Sequence, residues 1–106
     1  MSEIKTLVTQ AFELENSQVP DQETALLRWL SDYVAHLLEH RKEYLMSVLY
    51  QMDISEDLVS HALSPLNLAP TNLSLAQLIL ERQKQRIFTK LHYRQEREGI
   101  EESLKW

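Results

Sequence analysis

The sequence predicts an all-α fold: a compact bundle of four to five helices with a long C-terminal helix. Two counts carry that expectation. One glycine stands among 106 residues, where average usage of about 7% would supply about seven. Tight hairpin turns need positive φ, which glycine supplies at least cost, so a β-rich chain of this length would hold more of it. Leucine occurs 19 times against five valines and five isoleucines. Leucine favours helices, whereas β-branched residues favour strands.

The first element is a helix over residues 3–15. Ile4, Leu7, Val8, Ala11 and Phe12 recur at i, i+3, i+4, i+7 and i+8, one apolar stripe. Asn16-Ser17-Gln18 breaks it, and Val19 before Pro20 is pushed to extended backbone. Asp21 is then the expected N-cap of a second helix. Its carboxylate suits both the free N–H groups and the positive helix end. That helix carries Leu26, Leu27, Leu30, Tyr33, Val34, Leu37 and Leu38 on a broad apolar face.

The polar run at residues 39–43 is either a corner between two helices or the exposed middle of one long helix; the corner is favoured, because five successive polar residues on one helix would expose every side of it. A third helix follows with Tyr44, Leu45, Val48, Leu49 and Met52. Asp53-Ile54-Ser55 reads as the next joint, with Ser55 capping a short helix. Leu58, Val59, Ala62 and Leu63 are its apolar residues, and Ser64-Pro65 ends it. Residues 64–73 read as a loop whose Leu66, Leu68 and Leu73 pin it to the core. Ser74-Leu75-Ala76-Gln77 matches a capping box. The last helix is expected to run from there to about Glu98, with Gly99 as its stop. Residues 1–99 thus form one domain, and residues 100–106 a C-terminal tail.

Positive charge is concentrated in that last helix. Residues 82–97 hold six cations (Arg82, Lys84, Arg86, Lys90, Arg94, Arg97) against Glu96 alone, net +5, while the whole chain is −5. The remainder therefore carries −10. At roughly 100° per residue, Arg82, Arg86, Lys90, Arg94, Arg97 and Tyr93 share an arc of roughly 120°. Leu80, Ile87, Phe88 and Leu91 fall on the other side, so the outer half of the helix is amphipathic. The first turns (Leu75, Ala76, Leu78, Ile79, Leu80) are apolar nearly all round and should be buried.

Three readings of this stripe compete. Arginine stems can cover core edges while their heads pair with acids such as Glu39, Glu43, Asp53, Glu56 and Asp57. The stripe can meet an acidic face of a second copy or another protein, with the apolar side buried between them. Or its cations can neutralise phosphates while Tyr93 stacks on a base. An acidic chain with pI ≈ 5.3 repels polyanions, which disfavours the last.

Other chemistry is sparse. The absence of cysteine excludes disulfides and thiolate sites and fits a reducing cytoplasm. The N-terminus lacks a basic start and long apolar stretch, so no signal peptide is expected. No apolar run approaches the roughly 18–20 residues of a membrane span. The string His36-Leu37-Leu38-Glu39-His40 puts two histidines one helical turn apart, a spacing that can hold zinc. Glu43, one turn beyond His40, would make a third ligand only by gathering every ligand on one helix, and the chain is too small to build a cleft around them, so no metal and no cofactor is expected. His61 and His92 stand alone and read as rim residues. No glutamate lies three residues before a histidine, and the single glycine excludes phosphate-cradling loops. The aromatics Phe12, Trp29, Tyr33 and Tyr44 read as core.

The expectation is a small non-enzymatic interaction module in the cytoplasm, self-associating or binding a protein partner. Arg82, Arg86, Ile87, Lys90, Tyr93, Arg94 and Arg97 form its contact. The alternative is a nucleic-acid-binding module contacting phosphates through the same helix.

Overall fold

Five helices follow one another in the computed structural model: α1 (Ser2–Ala11), α2 (Glu23–His40), α3 (Lys42–Gln51), α4 (Glu56–Leu63) and α5 (Thr71–Leu104). The structure describes the backbone of residues 2–15 and 19–104, and the side chains of residues 3–15 and 19–91. The fold is all-helical with a long C-terminal helix, as composition predicts. α5 is its axis, packing against α1, α2 and α4, while α3 packs on α2.

Helix α1 is shorter than its apolar periodicity suggests. The Leu14 N–H bonds the Thr9 carbonyl at 2.8 Å and the Glu13 N–H bonds that of Gln10 at 3.3 Å. Glu13 takes φ 56°. This is a Schellman termination with a glutamate at the left-handed position. It stops the helix at Ala11, four residues before the expected end at Glu15, while Phe12 still reaches the core. The expected break at residues 16–18 lies outside the described residues.

α3 ends by the same device. Asp53 takes φ 58°, its N–H bonds the Tyr50 carbonyl at 3.0 Å, and the Ile54 N–H bonds that of Leu49 at 3.3 Å. The buried Ile54 then turns inward to fix the chain's exit. A chain with one glycine thus reaches left-handed backbone with Glu13 and Asp53.

Asp21 does not cap α2. The helix starts at Glu23 with Gln22 in the N-cap position and no side-chain cap bond. The Asp21 carboxylate instead pairs with Lys5 Nζ at 3.3 Å, tying the α2 entrance to α1. The polar run at 39–43 is a corner whose pivot is Arg41, at φ −145° and ψ 54°. The Arg41 N–H closes α2 on the Leu37 carbonyl at 2.7 Å, and its carbonyl opens α3 by accepting from Leu45 at 3.1 Å. Its guanidinium lies over the Tyr44 ring at 4.4 Å.

Ser55 occupies the N-cap position of α4, but its hydroxyl makes no cap bond. On α4 only Ala62 is buried; Val59 and Leu63 are half-buried, and Leu58 is exposed rather than apolar-side packing. The following loop departs further from expectation. Leu66 and Leu68 are not pinned to the core; they are 84% and 102% exposed. Asn67 holds the loop instead. Its Nδ2 donates to the Ala62 carbonyl and to Ser74 Oγ, both at 3.0 Å, and its Oδ1 accepts from the Ala69 N–H at 3.1 Å. Ser74 is therefore no capping-box residue. Asn67 folds the loop tightly enough for α5 to begin at Thr71, three residues earlier, and engages the hydroxyl that a box would use. α5 also runs through Gly99 rather than stopping there, reaching Leu104; a glycine inside a helix costs about 1 kcal/mol and does not by itself end one.

The core joins Ile4, Val8 and Phe12 of the α1 segment to Leu26, Leu30, Val34 and Leu37 of α2 and Leu45, Val48 and Leu49 of α3. Leu75, Ala76, Ile79 and Leu80 of α5 close it, as the apolar first turns predict. Asn72 Nδ2 adds a polar tie, donating to Ser31 Oγ at 3.0 Å and to the Ser31 carbonyl at 3.1 Å. The last core position on α5 is Gln83. A 34-residue helix is about 51 Å long, so α5 outruns the body it anchors. That accounts for a radius of gyration of 16.5 Å, against about 13 Å for a rounded chain of this length.

Candidate interaction surface

The basic stripe separates into three parts once the fold is known. Arg82 turns inward: its Nε–H donates to the Met52 carbonyl at 2.9 Å, at the end of α3. Arg86 is exposed, its guanidinium donating to Gln83 Oε1 at 3.3 Å. Lys90 is exposed and pairs with no carboxylate among the described residues. The side chains of Tyr93, Arg94 and Arg97, like that of His92, lie outside the described residues. Lys84, off the stripe, pairs with Glu23 of α2 and with Glu81 at 3.6 Å.

Among the described residues none of the acids expected to neutralise the stripe does so. Glu39, Glu43, Asp53, Glu56 and Asp57 are all exposed, and Glu39 lies 3.8 Å from His40 Nε2. Arg82 finds a carbonyl where an acid was expected, because the Schellman turn at Asp53 aims the last α3 carbonyls at α5.

The apolar side of outer α5 is partly exposed among the described residues. Phe88 is 70% and Leu91 54% exposed. Ile87 is half-buried against the core edge. Past Gln83, Lys84 still reaches Glu23 of α2, and Ile87, Arg86, Lys90 and Leu91 stand opposite α1. Between α1 and α5 runs a groove of about 390 Å³, lined by Glu3, Thr6 and Leu7 on one wall and Arg86, Ile87, Lys90 and Leu91 on the other. Its floor is apolar and its α5 rim is cationic. A second depression of about 440 Å³ between α2 and α5 contains Leu27 and Leu80, but Lys84 there is already paired with Glu23 and Glu81.

Sequence reasoning identified the α5 wall of the groove. It missed the α1 wall, because Leu7 shares a stripe with buried Ile4 and Val8 and periodicity does not say where a stripe runs out of partners. Leu66 and Leu68, expected against the core, are exposed: leucine between two prolines is as compatible with a rigid exposed loop as with a pinned one.

Phe12, Trp29, Tyr33, Tyr44, His36, His40 and His61 do not line the α1–α5 groove. His36 and His40 lie one turn apart with ring centroids at 4.7 Å and ring planes tilted by 46°. Among the described residues no group of three potential ligands could hold a metal ion. His61 is exposed in the last turn of α4. Phe12 is buried, while Trp29, Tyr33 and Tyr44 pack at the rim of the core. Phe12 meets Tyr33 edge-on at 5.4 Å, and Tyr33 stacks on Trp29 at 5.2 Å. Burial, and then the neighbouring Tyr44, push the Tyr33 phenol above its ordinary range, which Arg41 partly opposes. Tyr44 Oη donates to the Phe12 carbonyl at 3.2 Å, one of the carbonyls left free at the end of α1.

Among the described residues no helix is long and apolar enough to cross a membrane. Comparison with protein-family models, curated proteins and solved structures finds no match to this chain.

Proposed function

We propose that this chain is a small helical interaction module that docks a protein partner on the outer part of α5 and the adjoining groove of α1. One observation carries the reading. Beyond the last core residue, Gln83, α5 presents Phe88 and Leu91 to solvent beside Arg86 and Lys90. Exposed large apolar groups rimmed by charge are the composition of a docking surface, with aromatic and aliphatic anchors inside and cations at the edge. The helix is already fixed at its inner end, so docking there costs little ordering entropy.

The phosphate reading draws less support. It needs a row of solvent-facing cations, and Arg82 is spent on the Met52 carbonyl. Glu3 also lies in the groove with Arg86 and Lys90, where it would face the same phosphates.

Site-specific photo-crosslinking in cells tests the proposal. A photoreactive residue at Phe88 or Leu91 should give adducts of defined mass that mass spectrometry resolves to one protein. The same residue at exposed Gln10 or Asp32 should give none of them. Equal adduct patterns at all four positions would reject the surface. So would tight oligonucleotide binding that collapses between about 50 and 200 mM salt, the behaviour of phosphate contacts.

A further inference from the structure

We infer that the partner on outer α5 is a second copy of this chain, whose acidic entrance to α4 lies against Arg86 and Lys90. The inference rests on the reading of α5 as a docking helix and names the occupant. The chain carries both halves of such a contact. Asp53, Glu56 and Asp57 crowd into five residues, all exposed, and Leu58 beside them is 52% exposed. None of the three acids pairs with a cation among the described residues. On α5 the pattern is mirrored in sign: exposed Arg86 and Lys90, neither pairing with a carboxylate among the described residues, stand beside Leu91. An apolar residue beside acids and an apolar residue beside bases complement each other in charge and in kind.

The bond from Arg82 to the Met52 carbonyl sets the symmetry. It fixes the start of the acidic turn to α5 one helical turn before Arg86. Lys90 follows two turns on, about 12 Å along the axis from Arg82. The start of the acidic turn is therefore held against α5 near the basic residues, and the described residues of one copy make no ion pair between the two patches. Two adjacent patches of opposite sign form a self-complementary surface: a two-fold axis lays acid on base at both ends. Such a contact closes as a dimer instead of propagating.

Sedimentation velocity on the full chain tests this. A dimer is expected at about 50 mM salt and should weaken at about 500 mM, where screening is nearly complete beyond a few ångströms. Reversing the bases (Arg86→Glu with Lys90→Glu) should weaken dimerisation by at least about tenfold, as should reversing the acids (Glu56→Lys with Asp57→Lys). Combining all four changes should restore it. Because the acid reversal also opposes the α4 dipole, circular dichroism confirms folding and Leu91→Asp, at an exposed position, provides a second disruption that must also weaken the dimer. A monomer at every concentration, a dimer indifferent to these changes, or a quadruple variant no better than the doubles would overturn the inference. If the chain is monomeric while Phe88 and Leu91 crosslink to a different protein, the docking surface stands and the second copy falls. Monomeric chain with no specific adducts rejects both.

Discussion

Arg82 Nε donates to the main-chain carbonyl of Met52 at 2.9 Å across 30 residues of sequence. Met52 closes α3, so its carbonyl belongs to the last turn, where helical partners run out and the dipole leaves partial negative charge. A guanidinium there satisfies an otherwise free acceptor and neutralises that end. Arg82→Met keeps the apolar stem and removes the donor. It should lower stability by about 1–2 kcal/mol, toward the low end for a hydrogen bond to a charged group because the site is partly exposed. Urea denaturation should show the midpoint falling with an unchanged slope.

Glu13 gives a prediction of opposite sign. It holds φ 56° at the left-handed position of the α1 Schellman turn, where a residue with a Cβ is strained by about 1–2 kcal/mol. Glycine removes that strain but enlarges the unfolded ensemble by a smaller amount. Glu13→Gly should therefore stabilise the protein by about 0.5–1 kcal/mol, read as a rise in the thermal midpoint. Asp53→Gly should gain less, because aspartate tolerates this region better than glutamate.

These two positions also show where the sequence is silent. Helix content and core faces are legible, because Ile4, Val8, Leu26, Leu30 and Ile79 repeat with the period of a helix and end up buried. Helix ends are less legible. The apolar stripe runs on through Phe12 although the helix ends at Ala11, and no glycine marks either Schellman turn. Capping signals mislead when tertiary contacts claim the same atoms. Asp21 goes to Lys5, and the Ser74 hydroxyl goes to Asn67. The cationic stripe is readable from composition, but its division is not. That Arg82 turns to a carbonyl while Arg86 and Lys90 stay outside depends on where α3 ends, a distance of 30 residues that no local pattern encodes.

Gln83 is the one buried polar side chain of α5 in the described core, and it is only half satisfied. Its Oε1 accepts from Arg86 at 3.3 Å, while its Nε2 is buried without a hydrogen-bond partner. An unpaired buried donor costs about 1–3 kcal/mol, whereas the bond from an exposed arginine returns less than that. Gln83→Met, similar in volume and flexible enough to fill the same space, should leave stability unchanged or raise it by up to about 1 kcal/mol. If the midpoint in urea instead falls by more than about 1 kcal/mol equivalent, Gln83 has a partner that this arrangement does not supply.

Tyr33 should make the alkaline limb of the stability curve steeper. Its phenol is held above the ordinary value of 10.0, first because it is buried and then because Tyr44 lies near it. A raised folded-state pKa means that above pH 10 the folded chain keeps this proton while the unfolded chain releases it. Unfolding then gains free energy from proton release, so the stabilisation is complete below pH 10 and is lost as pH rises through the folded-state value. Tyr33→Phe removes that linkage. Its thermal midpoint should be offset from the parent by a constant below pH 9 or so, and should fall less steeply above about pH 10. Tyr50→Phe, at a position 74% exposed, should keep the parent's slope. Parallel alkaline limbs for the parent and Tyr33→Phe would place the phenol in contact with water and remove burial as the cause of its shift.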